Sequence, residues 1–139
     1  MKLLSVLLLV LMPVAAYGRI GDTLEELDKR YGKAVIANNS KKPGVIQRCY
    51  NVKGFNVAAD VNKTTGLCEQ MIYSRVDKKW IHPVNVEGIL RVHKNVQWKE
   101  ILPGARWSVT ENDYKYEAWR EGYTWLFVQK YKPFCDKKR

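Results

Sequence analysis

Between positions 45 and 61 the chain alternates. Phe55, Val57, Ala59 and Val61 interleave with Asn56, Ala58 and Asp60, the period-two pattern of a half-buried strand. Lys53-Gly54 is a two-residue hairpin connection between strands 45–52 and 55–61. Such a turn pairs Val52 with Phe55, Tyr50 with Val57, Arg48 with Ala59 and Ile46 with Val61. These side chains share one face, apolar except for Arg48, and that face is expected to lie under a helix. Cys49 then points to the other face, opposite Ala58. A third strand is expected over 67–74, after the turn at Asn62-Lys63-Thr64-Thr65-Gly66.

Before the strands the pattern changes period. Leu24, Leu27 and Tyr31 recur at i, i+3 and i+7, one apolar face of a helix. Thr23 and Glu26 have capping-box spacing. Glu25 and Glu26 in the first turn and Lys29 and Arg30 in the last suit the helix dipole, and Gly32 stops the helix. A second helix is expected over 85–93, capped by Asn85, with Val86, Ile89, Leu90 and His93 on its apolar side. Gly88 sits inside it, where glycine costs about 1 kcal/mol relative to alanine. Three more strands are expected over 105–110, 114–119 and 123–131, with turns at Pro103-Gly104, Asn112-Asp113 and Glu121-Gly122. Tyr114, Tyr116 and Ala118 should share one face of their strand, and Lys115, Glu117 and Trp119 the other.

The order is helix, three strands, helix, three strands. It predicts an α+β fold: one antiparallel sheet with two helices packed on one face. The element order, rather than matched letters, suggests two repeats, 19–76 and 84–131.

Residues 1–18 read as a signal peptide. Lys2 is followed by an apolar run of about a dozen residues, too short to span a bilayer, and Ala16-Tyr17-Gly18 places small residues for cleavage after Gly18. Cleavage after Ala16 is the second option. The remainder, 19–139, is one domain in length. The whole chain carries a formal charge of +10; without Lys2 the balance is +9. A secreted or periplasmic domain of this charge attracts anionic partners. However, the dense basic runs are only Lys41-Lys42, Lys78-Lys79 and Lys137-Lys138-Arg139, so the charge reads first as a solvated surface.

The segment Gly21-Asp22-Thr23-Leu24-Glu25-Glu26-Leu27, continued by Tyr31-Gly32-Lys33-Ala34, resembles the opening motif of small bacterial envelope domains. These are the SmpA/OmlA-type outer-membrane-assembly lipoproteins and the β-lactamase-inhibitor-protein-like repeats. Ala34 stands where that motif has proline, and the lipidation cysteine is missing. The resemblance implies a helix-plus-antiparallel-sheet module that binds other proteins. It implies no particular binding residues.

The candidate chemistry is sparse. Cys49 and Cys68 lie on strands separated by a third, about 9.6 Å apart at two strand spacings, beyond the roughly 7 Å Cα limit for a disulfide. No Cys49–Cys68 bond is expected, and the partner of Cys135 is left open. Cys68, Cys135, His82 and His93 show no metal-ligand spacing, and no motif calls for a cofactor. An acid–base pair of His82 and His93 acting on a phosphodiester is the enzyme reading, and nothing in the sequence brings the two rings together. The unpaired acids Asp60, Glu69, Asp113 and Glu117 show no glycosidase pairing.

The aromatics say more. Trp80, Trp98, Trp107, Trp119 and Trp125 all follow residue 18. Tryptophan, tyrosine and arginine dominate protein–protein hot spots. One or two of the five tryptophans should be exposed, with Trp119-Arg120 the candidate pair for a binding edge. The leading reading is a non-catalytic module that binds a protein or an envelope component. The alternative is a polyanion binder, for nucleic acid or cell-wall polymer, and a small secreted nuclease comes third.

Overall fold

The structure is a computed structural model, and it describes residues 19–36, 42–93 and 98–132. The signal-peptide reading of 1–18, the basic residues Lys41 and 137–139, and Cys135 lie outside the described residues.

Helix α1 (Leu24–Tyr31) forms as its sequence dictates. The Thr23 hydroxyl accepts from the Glu26 amide at 3.2 Å, and the Glu26 carboxylate accepts from the Thr23 amide at 2.8 Å. Leu27 and Tyr31 are its buried residues. Gly32 ends it at φ 84°, ψ −161° rather than in the left-handed helical region, with its amide still bonded to Asp28 O at 2.8 Å.

Three strands follow: β1 (Val45–Val52), β2 (Phe55–Asn62) and β3 (Cys68–Arg75). The β1–β2 register pairs Val52 with Phe55, Tyr50 with Val57, Arg48 with Ala59 and Ile46 with Val61, and sets Cys49 opposite Ala58. The two-residue turn therefore fixes the register as expected. Lys53 and Gly54 both take positive φ, 49° and 82°, as a hairpin turn of this length requires.

Helix α2 runs Pro83–His93. It starts two residues before the expected Asn85. Pro83 sits at the first helical position, which suits its fixed φ and missing amide. His82 Nδ1 accepts from the Val84 amide at 3.3 Å, so His82 fills the capping role given to Asn85.

Among the described residues four strands, not three, follow α2: β4 (Lys99–Leu102), β5 (Arg106–Glu111), β6 (Tyr114–Glu121) and β7 (Trp125–Tyr131). The extra one, β4, has four residues, all exposed, so it lacks the inside–outside alternation that marks a strand in sequence. All seven strands form one antiparallel sheet in the order β1-β2-β3-β7-β6-β5-β4. The fold is thus α+β with strands dominant. One edge, β1, is partly covered by an isolated bridge between Ile36 and Cys49. The other, β4, carries exposed Ile101 and Leu102.

The core lies along one face of the sheet. A single register row runs Arg48, Ala59, Met71, Val128, Ala118, Trp107 across β1, β2, β3, β7, β6 and β5. The neighbouring row runs Tyr50, Val57, Tyr73, Leu126. Every member but Arg48 is buried. Arg48 pairs through Nη1 with the Asp28 carboxylate of α1, which also accepts from the Tyr50 hydroxyl at 2.7 Å. A polar residue on an apolar face is tolerated here because its charge is partnered.

Candidate binding surface

The opposite face of the sheet carries the residues one step along each strand. Cys49, Ala58, Ile72, Phe127, Trp119 and Arg106 pair in turn across the same six strands. They make a second transverse row, about 24 Å long at five strand spacings. Five members are apolar and half-buried, and Arg106, at one end, is exposed. Trp119 and Phe127 stack with ring centroids 5.0 Å apart and an interplanar angle of 5°. The Trp119 indole donates to Glu121 Oε1 at 3.2 Å, and the residue stays half-buried.

A polar row flanks this stripe. On one side run Gln47, Asp60, Gln70, Gln129, Glu117 and Ser108. Their side chains tie one another: Gln47 Nε2 donates to Asp60 Oδ1 at 2.7 Å, and Gln129 Nε2 to Glu117 Oε2 at 3.5 Å. Lys42 lies 3.8 Å from Asp60, and Lys115 lies 3.0 Å from Glu117. Burial works against the charged form of Glu117, but hydrogen bonds from Lys115, Tyr131 and Gln129 hold its pKa below the ordinary value. Burial, with Asp60 adding to it, raises the Cys49 thiol pKa, so the thiol in this stripe is not an activated nucleophile.

At one end of the sheet, aromatics continue past the stripe. Trp125 pairs with Ser74 and Glu121 and is 47% exposed. Trp80 is 70% exposed and packs on Tyr123 with ring centroids 5.7 Å apart. Arg120 lies over the Tyr123 ring, 4.8 Å from its centroid. Its Nη2 donates to Ile81 O at 2.6 Å and to Tyr123 O at 3.3 Å, so Arg120 ties the loop before α2 to the β6–β7 turn.

The expected pair therefore separates. Trp119 and Arg120 are neighbours on β6, an interior strand between β5 and β7, and adjacent strand residues point to opposite faces. Trp119 lies in the stripe. Arg120 lies on the core side and bonds to backbone. Cys49 and Cys68 are free thiols, also on opposite faces, since Cys49 pairs with Ala58 and Cys68 with Val61.

The histidines do not converge. His82 is exposed before α2 and His93 is buried at its end, about 16 Å apart at 1.5 Å rise per residue. His93 Nδ1 accepts from the Ile20 amide at 3.0 Å, which puts the ring proton on Nε2, 2.5 Å from the Tyr73 hydroxyl. Both ring nitrogens are spoken for, and burial pushes the imidazole pKa down to about 3. Asp60 on β2 and Glu117 on β6 are three strand spacings apart, about 14 Å, wider than the carboxylate pairs of glycoside hydrolysis. Among the described residues no group of three or more His, Cys, Asp or Glu side chains gathers to hold a metal ion. No helix among them is long and apolar enough to cross a membrane.

Sequence reasoning reached Trp119 and the Cys49–Ala58 pair but missed Ile72 and Phe127 as members of one row. The local hairpin gave the first half of the stripe. The rest depends on β3 pairing with β7, a contact some fifty residues apart that no turn announces. Compared with protein-family models, with curated proteins and with solved structures, the chain shows no match.

Proposed function

We propose that this chain is an exported, non-catalytic module that binds another protein across the open face of its sheet. Trp119 and Phe127 are the central anchors. The observation that carries the reading is the transverse row from Cys49 to Arg106. An antiparallel sheet needs one apolar face to fold, and this apolar row lies on the second.

The size fits. Seven strands span about 29 Å and eight residues about 26 Å, a face on the order of 700 Å². A standard interface buries about 800 Å² per partner, with aromatic anchors near the centre and polar residues at the rim. Lys42 and Lys115 neutralise the Asp60 and Glu117 of the flanking row. That pairing gives a polar rim rather than the continuous basic track a phosphate backbone calls for. The excess positive charge steers an acidic partner toward the surface. Export rests on the signal-like residues 1–18 and leads to the periplasm or the medium. The resemblance of residues 21–34 to envelope binding domains points the same way.

The finer architecture belongs to the same proposal: both helices lie over the core face, and the two halves are related units. Asp28 of α1 meets Arg48 and Tyr50, and His93 of α2 meets Tyr73. All three strand residues are on that face. Each half ends on a central strand, β3 or β7, and these two pair with each other.

The test is a pull-down from envelope and culture extracts with the tagged chain from Arg19, washed through rising salt. One protein retained at high salt is expected, with Trp119→Ala and Phe127→Ala each weakening its binding by about 30-fold. Retention of nucleic acid or polysaccharide alone, released at moderate salt, replaces this reading with polyanion binding.

A further inference from the structure

On the core side of the sheet a half-open pocket of about 120 Å³ lies between the helices. Its walls include Tyr31 of α1, Phe55, Val57 and Tyr73 of the sheet, and Gly88 and Ile89 of α2. No lining residue carries a charge. A dry apolar cavity of about 150 Å³ is enough to hold benzene, so this pocket matches roughly one ring.

Gly88 makes the pocket more than a packing gap. It sits in the interior of α2, where glycine costs about 1 kcal/mol relative to alanine. Its φ is not positive, and a Cβ built on it would meet nothing within 4 Å. Neither backbone geometry nor packing within the described chain calls for a glycine at this position. Gly88 thus leaves open space beside an uncharged pocket, at a cost in helix stability.

We propose that this pocket binds a small, uncharged apolar molecule about the size of a single aromatic ring. Tyr73 and Val57 form the floor, and Gly88 keeps the α2 side open. The site lies on the opposite side of the sheet from the transverse stripe and stands independently of the protein-binding reading.

The experiment titrates the chain from Arg19 with toluene, and separately with benzoate, following side-chain NMR signals of Tyr31, Val57, Tyr73 and Ile89. Toluene should give saturable shifts at these residues and raise the melting temperature by about 4 °C at ten times Kd. Benzoate, the same ring with a charge, should bind at least tenfold more weakly, because its carboxylate would have to be desolvated without a partner. Gly88→Leu, whose side chain can lie over the opening, should cut toluene affinity at least tenfold while melting no lower than the parent. Gly88→Ala should melt a few degrees higher and bind toluene several-fold more weakly, less affected than Gly88→Leu. The proposal is overturned by the absence of saturable shifts up to the solubility of toluene, by equal binding of benzoate, or by full affinity in Gly88→Leu. A lower melting temperature for Gly88→Ala would also sink it, because the glycine would then be structural.

Discussion

Two rows of side chains cross the same six strands, one residue apart in sequence. Arg48, Ala59, Met71, Val128, Ala118 and Trp107 make one; Cys49, Ala58, Ile72, Phe127, Trp119 and Arg106 make the other. In the first, Ala59, Met71, Val128 and Ala118 are 0% exposed. In the second, no residue is buried. Small alanines and a valine let the first row pack closely, and its one charged member is closed off by Asp28. The second row carries the stacked Trp119 and Phe127 and leaves them half-open. The same pleat thus separates what holds the fold together from what the fold presents.

The largest expected loss falls on one of two neighbours on β3. Met71→Ala removes a fully buried side chain and should cost about 3 kcal/mol. Ile72→Ala, one residue on, should cost less, about 1.5 kcal/mol, because its side chain is only partly buried. Urea unfolding of both variants measures the contrast. Equal losses would mean that the second face is as well covered as the first, and the stripe would lose its standing as a surface.

Acid sharpens the comparison next. In the unfolded chain an imidazole takes its proton near pH 6.5; in the fold burial, helped by the charge of Arg19, delays His93 to about 3. Protons therefore bind the unfolded chain first. The contribution is complete above pH 6.5 and is lost as the pH falls toward 3. Between pH 7 and pH 5 the loss is about 2 kcal/mol. His93→Gln should flatten the stability profile over that range, whereas Trp119→Ala on the other face should leave its slope unchanged.

A smaller effect concerns the one charge in the first row. Asp28→Asn weakens the partner of both Arg48 and Tyr50. Asp28 is 41% exposed on its side chain, so water screens part of the loss and about 1 kcal/mol is expected. The change should be matched by Arg48→Met alone and not add to it, since the two share one interaction.

How much of this was legible depends on range. The capping box at Thr23 and Glu26, the Lys53-Gly54 turn and the register of β1 on β2 were readable because each is decided by residues close in sequence. The side assignments on β6 followed from alternation. Three things were not readable. The short exposed strand β4 has no alternation to detect. The start of α2 moved to Pro83 because a histidine cap substitutes for the Asn85 signal. The joining of β3 to β7, which turns two half-stripes into one, is decided by tertiary packing. Trp119 could be found as a candidate, but its separation from Arg120 follows only when β6 is known to be an interior strand.

The smallest expected effect is at the β6–β7 turn. Tyr123 takes φ 59°, a left-handed conformation that costs a bulky residue about 1 kcal/mol and is held without such cost by glycine. The turn keeps a tyrosine there, packed on the exposed Trp80 and under the Arg120 guanidinium. Tyr123→Gly relieves the backbone and loses the two ring contacts, each worth about 0.5 kcal/mol at this exposed turn. Its net effect on stability should therefore stay within about 0.5 kcal/mol of zero. Partner binding separates two roles for the ring. If the aromatic end of the sheet belongs to the interface, Tyr123→Gly should weaken binding several-fold at nearly constant melting temperature. Unchanged binding would confine the interface to the stripe and leave Tyr123 as the residue that seats the loop carrying Trp80.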